Sequence, residues 1–129
     1  MKGAGYALLV CRALYELTRY EAIIRWRGFG CIQRQLSRQS TVLKPSSPDL
    51  EQAVCDAVLL ATCLFWKPVL CLQGSVCAVR LLRKYGIDGR LAIGYRPKPF
   101  FSHAWVEVDG RVVNGSPAYQ TRLRVLYSI

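Results

Sequence analysis

The sequence predicts an α+β domain, with helices first and a small antiparallel sheet second. Up to Gly86 the apolar residues recur at helical spacing, whereas beyond it they fall into short branched runs divided by turn residues. Asp109-Gly110 joins two of those runs and is a hairpin signal. At 129 residues, 52% of them hydrophobic, the chain suffices for one domain with its own core. An N-terminal helical region over 1–44 is expected to pack on a core formed by 45–129.

Residues 4–27 read as the first helix, with Leu8, Leu9, Leu14, Leu17 and Ile24 at near-helical spacing and Arg and Glu between them. Gly28-Phe29-Gly30 ends it, and a short polar helix over about 31–38 follows. The linker-like stretch 40–47 runs into a helix start. Ser47 suits the N-cap and Pro48 the first turn, while Asp49 and Glu51 suit the positive dipole end. That helix, expected to be largely buried, should stop before Pro68. A second core helix over 71–85 carries Leu72, Val76, Val79 and Leu82 as its apolar stripe. Gln73, Arg80, Arg83 and Lys84 lie off the stripe, and Gly86 supplies the left-handed cap. Strands are expected over 91–95, 104–108, 111–114 and 123–128.

Composition excludes several classes. The chain is too apolar for disorder, and its longest nearly unbroken apolar run, 57–66, is ten residues before Lys67-Pro68. A membrane-spanning helix needs about 20, so no transmembrane segment is expected. The N-terminus lacks a small-residue cleavage site, and the expected compartment is cytoplasmic. The net charge of +10 is scattered along the helices instead of gathered in a basic run interleaved with aromatics. Nucleic-acid binding is therefore not expected; the basic surface suits an acidic partner or peptide. The six cysteines lack zinc-ligand spacing, and with a single His to join them no metal or other cofactor is expected.

Two residues stand out by position. Cys71 falls at the start of a core helix, and His103, the sole His, falls at the start of a strand. Unpaired N–H groups and the dipole at a helix N-terminus favour thiolate over thiol. An imidazole then holds that thiolate and protonates a leaving group. On residue type alone, a Cys in an apolar chain and a His beside Trp105 more often serve packing. The joint placement is what points to chemistry.

The local sequences sharpen this. Cys71-Leu72-Gln73-Gly74-Ser75, Leu81-Leu82-Arg83-Lys84-Tyr85-Gly86-Ile87, Ile93-Gly94 and His103-Ala104-Trp105-Val106-Glu107 resemble the transglutaminase-like superfamily. More closely, they resemble the stand-alone leader peptidases of lasso-peptide biosynthesis, with which the 32-residue spacing from Cys71 to His103 agrees. The resemblance covers about 45–117 well and the N-terminal helices loosely. It implies a papain-like fold with the catalytic Cys at the N-terminus of a core helix. In it Cys71 attacks a peptide carbonyl, His103 is the base and backbone N–H groups at the helix start hold the oxyanion. It also implies the partners: a precursor peptide cut between leader and core, a small leader-recognition protein, and an ATP-dependent lasso cyclase that takes the freed core amine.

The chain departs from the family at one place. The third triad member is usually an Asp in the strand after the hairpin, and here Gly115 stands there. Glu107 is about 13 Å along the strand from His103, too far to replace it. A two-residue turn at Asp109-Gly110 pairs Val108 with Arg111 and Trp105 with Asn114, setting Asn114 on the face of His103. Asn114 is the candidate, as a Cys-His-Asn set works on other folds. A bulge would bring Ser116 there instead, and Asn114 beside Gly also reads as a turn. Trp105, Phe100 and Phe101 are candidates for the substrate wall, although Trp105 reads first as a buried aromatic of a core strand. The Pro-rich segment 96–101 that carries the two Phe residues reads equally as a hairpin connection with them tucked into the core. Two other functions fit the same residues: a transglutaminase-like acyltransferase using an amine in place of water, and a basic, non-catalytic module that binds a peptide or nucleic acid.

Overall fold

The structure, a computed structural model, describes residues 4–38, 48–97, 100–108, 111–114 and 123–128. Four helices precede four strands: α1 (Ala4–Trp26), α2 (Phe29–Arg38), α3 (Pro48–Leu64), α4 (Cys71–Lys84), β1 (Gly89–Pro97), β2 (Phe100–Val108), β3 (Arg111–Val112) and β4 (Arg124–Ser128). The strands form one antiparallel sheet in the order β3-β2-β1-β4. Ser47, Asp109-Gly110, Gly115 and Ser116 lie outside the described residues.

α4 is the axis of the fold, packed against α1, α3, β1 and β2. Val76, Val79, Leu81 and Leu82 are buried along it, and Ala104, Val106 and Val108 of β2 close over it. Gly86, at φ +83°, ends the helix in a Schellman arrangement. Its N–H bonds Arg83 O at 3.1 Å, and the Ile87 N–H bonds Leu82 O at 2.9 Å.

Because α4 is enclosed, lying off its apolar stripe does not bring every polar side chain to solvent. Gln73 and Arg83 are buried. Gln73 Nε2 donates to Leu17 O at 3.2 Å, tying α4 to α1. The Arg83 guanidinium donates to Leu36 O at 2.6 Å and Gly89 O at 3.0 Å, joining the end of α2 to the start of β1. Buried Glu16 of α1 accepts from Arg80 Nε and Lys84 Nζ, both at 2.8 Å, and Arg80 Nη1 also donates to Gln35 Oε1. α3 departs from expectation in the other direction. It buries Val54, Ala57, Val58 and Ala61 yet leaves Leu59, Leu60 and Leu64 exposed, because only one of its faces meets the core.

The sheet is longer than its branched runs suggest. β1 and β2 pair through to Pro97 and Phe100, so Arg96, Pro97, Phe100 and Phe101 of the expected Pro-rich loop belong to strands. His103 therefore sits in the interior of β2 and not at its start. A proline is tolerated at Pro97 because it lies at the strand's end. Among the described residues no helix is long and apolar enough to cross a membrane.

Burial alone would raise the Glu16 carboxyl, but hydrogen bonding and the charges of Lys84 and Arg80 outweigh it and hold it below 4.5. Its stabilisation is thus complete above that value and is lost as pH falls through the lower, folded-state one. Glu16→Gln should cost about 1–3 kcal/mol at pH 7. Urea unfolding should show that difference shrinking in strongly acidic solution.

Candidate active site

Cys71 is the first residue of α4. Leu70 occupies the cap position in extended conformation (φ −80°, ψ 164°) and makes no side-chain capping bond. The cap residue itself thus leaves the first-turn N–H groups without a side-chain acceptor, and they and the dipole's positive end lie beside exposed Cys71. His103 reaches the same place from β2. Cys71, His103 and Asn114 line one cavity of about 270 Å³. Its other wall is α3, through Cys55, Val58, Leu59 and Thr62.

Asn114 holds its position by replacing a strand. Val113 N–H bonds Val106 O at 3.0 Å, as a regular ladder requires. The return bond goes elsewhere: Val106 N–H donates to Asn114 Oδ1 at 2.6 Å. Asn114 Nδ2 then donates to Ser75 Oγ at 3.2 Å, and Ser75 Oγ donates to Ala104 O at 3.3 Å. The β2–β3 register at Val108 and Arg111 is the expected one, but the ladder ends at Val112, and the expected Trp105–Asn114 pair is replaced by this side-chain bracket. Ser75, buried and one helical turn beyond Cys71, is a site residue that the search for nucleophile and base passed over. The four-residue spacing that stacks side chains on one helix face was its signal.

The aromatic candidates separate. Phe101 and Trp105 flank His103 on one face of β2, each with its ring centroid 6.3 Å from the imidazole and nearly parallel to it. Trp105 is fully buried with Ala92 and Leu123 and is not among the cavity-lining residues. It sits beside the imidazole as a support. Gly94, paired with His103 across the strands, leaves room for it: a Cβ there would stand 2.7 Å from the indole and 2.9 Å from Leu123 Cβ. Phe101 is partly exposed. The Phe100 side chain lies outside the described residues.

Two cysteines border the cavity, and their surroundings distinguish them. Burial, reinforced by the charges of Glu51 and Asp56, pushes the Cys55 thiol up to about 11, so it stays protonated and unreactive near neutrality. Cys71 is exposed at the helix end. Burial lowers His103 below 6.5, which leaves its imidazole neutral at pH 7 and able to accept a proton.

Residues 14–128 match the sequence model of the Transglutaminase-like superfamily. The chain belongs to this family. It is also 44% identical over 59 residues to the Microcin J25-processing protein McjB of Escherichia coli, a match spanning 46% of this chain and 28% of that protein. No solved structure gives a significant match.

Because His103 is the sole His, its titration is directly readable. In Cys71→Ala, which removes the thiol as a titrating neighbour, the imidazole proton resonances should move with a midpoint below 6.5. The lowered value also means that fold stability falls as pH drops from 6.5 towards the folded-state value. A midpoint above 6.5 would show that an anion, not desolvation, governs this site.

Proposed function

We propose that this chain is a cysteine peptidase that removes the leader from a lasso-peptide precursor. Cys71 is the nucleophile, His103 the base and Asn114 the residue that orients the imidazole. The observation carrying the proposal is the convergence of Cys71, His103 and Asn114 on one cavity at the uncapped start of α4. Membership in the family and the partial identity to a microcin-processing protein support the substrate class.

The chemistry proceeds in two displacements. His103 takes the Cys71 proton as sulfur adds to the scissile carbonyl, and first-turn N–H groups of α4 stabilise the oxyanion. Collapse breaks the C–N bond, with the imidazolium giving its proton to the departing amine of the core peptide. Water, deprotonated by His103, then hydrolyses the thioester, releasing the leader's carboxylate and restoring the thiol. Asn114 Oδ1 retains a lone pair beyond the one engaged by Val106 N–H and can accept from the imidazole.

In this reading the enzyme works in the cytoplasm with a leader-recognition protein and an ATP-dependent cyclase that uses the new amine. The exposed apolar side chains support a protein partner. Leu59 and Leu70, 65% and 75% exposed, line the cavity, and Leu64 and Trp66 are also open to solvent. Exposed apolar side chains of this kind suit an interaction surface.

Mass spectrometry of a precursor incubated with the chain and its recognition partner tests the proposal. Cleavage at the leader–core boundary should disappear in Cys71→Ala and His103→Ala and fall about 10–100-fold in Asn114→Ala, with circular dichroism unchanged. Full cleavage by Cys71→Ala would overturn it. A product carrying an added amine in place of the free leader carboxylate would instead reveal acyl transfer.

A further inference from the structure

A second, more polar cavity of about 170 Å³ adjoins the first, with Cys55 in the lining of both. Its walls continue the same two elements. On α3, Glu51, Cys55, Val58 and Thr62 fall on one helical stripe, the first two lining the polar cavity and the last three the catalytic one. On the facing side, Arg111, Val112 and Val113 line the polar cavity and Asn114 the catalytic one. At 1.5 Å per residue, the stripe from Glu51 to Thr62 extends about 16 Å, the reach of about five residues of extended peptide.

The far end carries an ion pair that is loosely made. Arg111 faces Glu51 through two contacts, each 3.4 Å, well beyond the roughly 2.7–2.9 Å of a close charge-assisted bond. The two partners differ in access: the Arg111 side chain is 61% exposed and that of Glu51 only 12%. Both Glu51 oxygens already face the guanidinium, whereas the guanidinium keeps donors directed elsewhere. Arg111 is also the sole Lys or Arg among the described residues lining either cavity. An incoming cation finds no free carboxylate here; an incoming carboxylate finds a partly solvated fork of donors. The net charge of +10 favours approach of an acidic peptide.

We infer that the two cavities form one peptide groove, in which Arg111 selects an acidic side chain on the substrate about five residues from the bond broken at Cys71. This rests on the peptidase reading above and adds a specificity residue distant from the chemistry. Arg111 acts on binding alone, so it governs KM and leaves kcat largely unchanged.

The test uses the Cys71→Ala chain, which holds peptides uncleaved, and rhodamine-labelled peptides of about twelve residues. Each is uncharged apart from a single Glu, Gln or Lys walked through every position. Fluorescence anisotropy should show Glu at one position binding about three- to tenfold more tightly than Gln, with Lys weaker than both. Arg111→Ala should erase that preference, and Arg111→Lys should restore part of it. Equal binding of Glu and Gln peptides at every position, a preference that survives Arg111→Ala, or no peptide binding would overturn the inference. Mass analysis of a precursor incubated with the unsubstituted chain and its recognition partner separates the two readings. Charge-selective binding without any cleavage removes the peptidase assignment and leaves the groove standing. Cleavage without selectivity does the reverse.

Discussion

The enclosure of α4 is the constraint on which the rest depends. A helix that presents Cys71 to a cavity at its first residue must be held so that its end stays open while its length stays fixed. Here α1, α3 and two strands bury the helix along its sides. The Schellman turn at Gly86 fixes its far end, and the cap residue Leu70 makes no side-chain bond at its near one. Hydrophobic contact alone would leave the helix free to slide along its axis. The polar ties remove that freedom: Gln73 to the α1 backbone, Glu16 to Arg80 and Lys84, and Arg83 to the chain at both Leu36 and Gly89. Each is directional, and together they hold the first turn, through Gln73, and the last, through Arg83 and Lys84.

Ser75 and Asn114 extend the same logic across the site. A strand that continued past Val112 would have satisfied Val106 N–H with a backbone carbonyl and carried Asn114 along the sheet. By breaking off there, the chain spends an amide side chain on Val106 and Ser75 instead. α4, β2 and the hairpin return are thereby joined within one turn of Cys71. The imidazole between Phe101 and Trp105 has its ring plane set by its neighbours, and its neutral state follows from the same burial.

Much of this was legible in the sequence because punctuation residues act locally. Gly28, Pro48, Pro68 and Gly86 delimit the helices through backbone geometry alone, and Cys71 and His103 stand out through their local motifs. What escaped depends on tertiary surroundings. Glu16 and Arg83 read as surface charges, since nothing local shows that α1 and α4 meet. Pro97 and Phe100 read as loop, although β1 and β2 pair through both. The apolar pattern of α3 does not reveal which of its faces is left uncovered, so Leu59 and Leu64 were expected inside. Cys55 looked like any packing cysteine; only its place in both cavities, beside Glu51 and Asp56, shows how it differs from Cys71.

The account's central claim is that Cys71 and His103 work as a pair. Its most direct measurement is the alkylation rate of Cys71 by iodoacetamide at neutral pH, in the unsubstituted chain and in His103→Ala. Peptide mapping separates Cys71 from the other exposed thiols, Cys11 and Cys63. The account predicts that Cys71 reacts fastest of the three and that losing His103 slows it by about tenfold or more, with Cys11 and Cys63 unchanged. Equal rates for Cys71 with and without His103 would contradict the pairing and with it the assignment of this cavity as an active site.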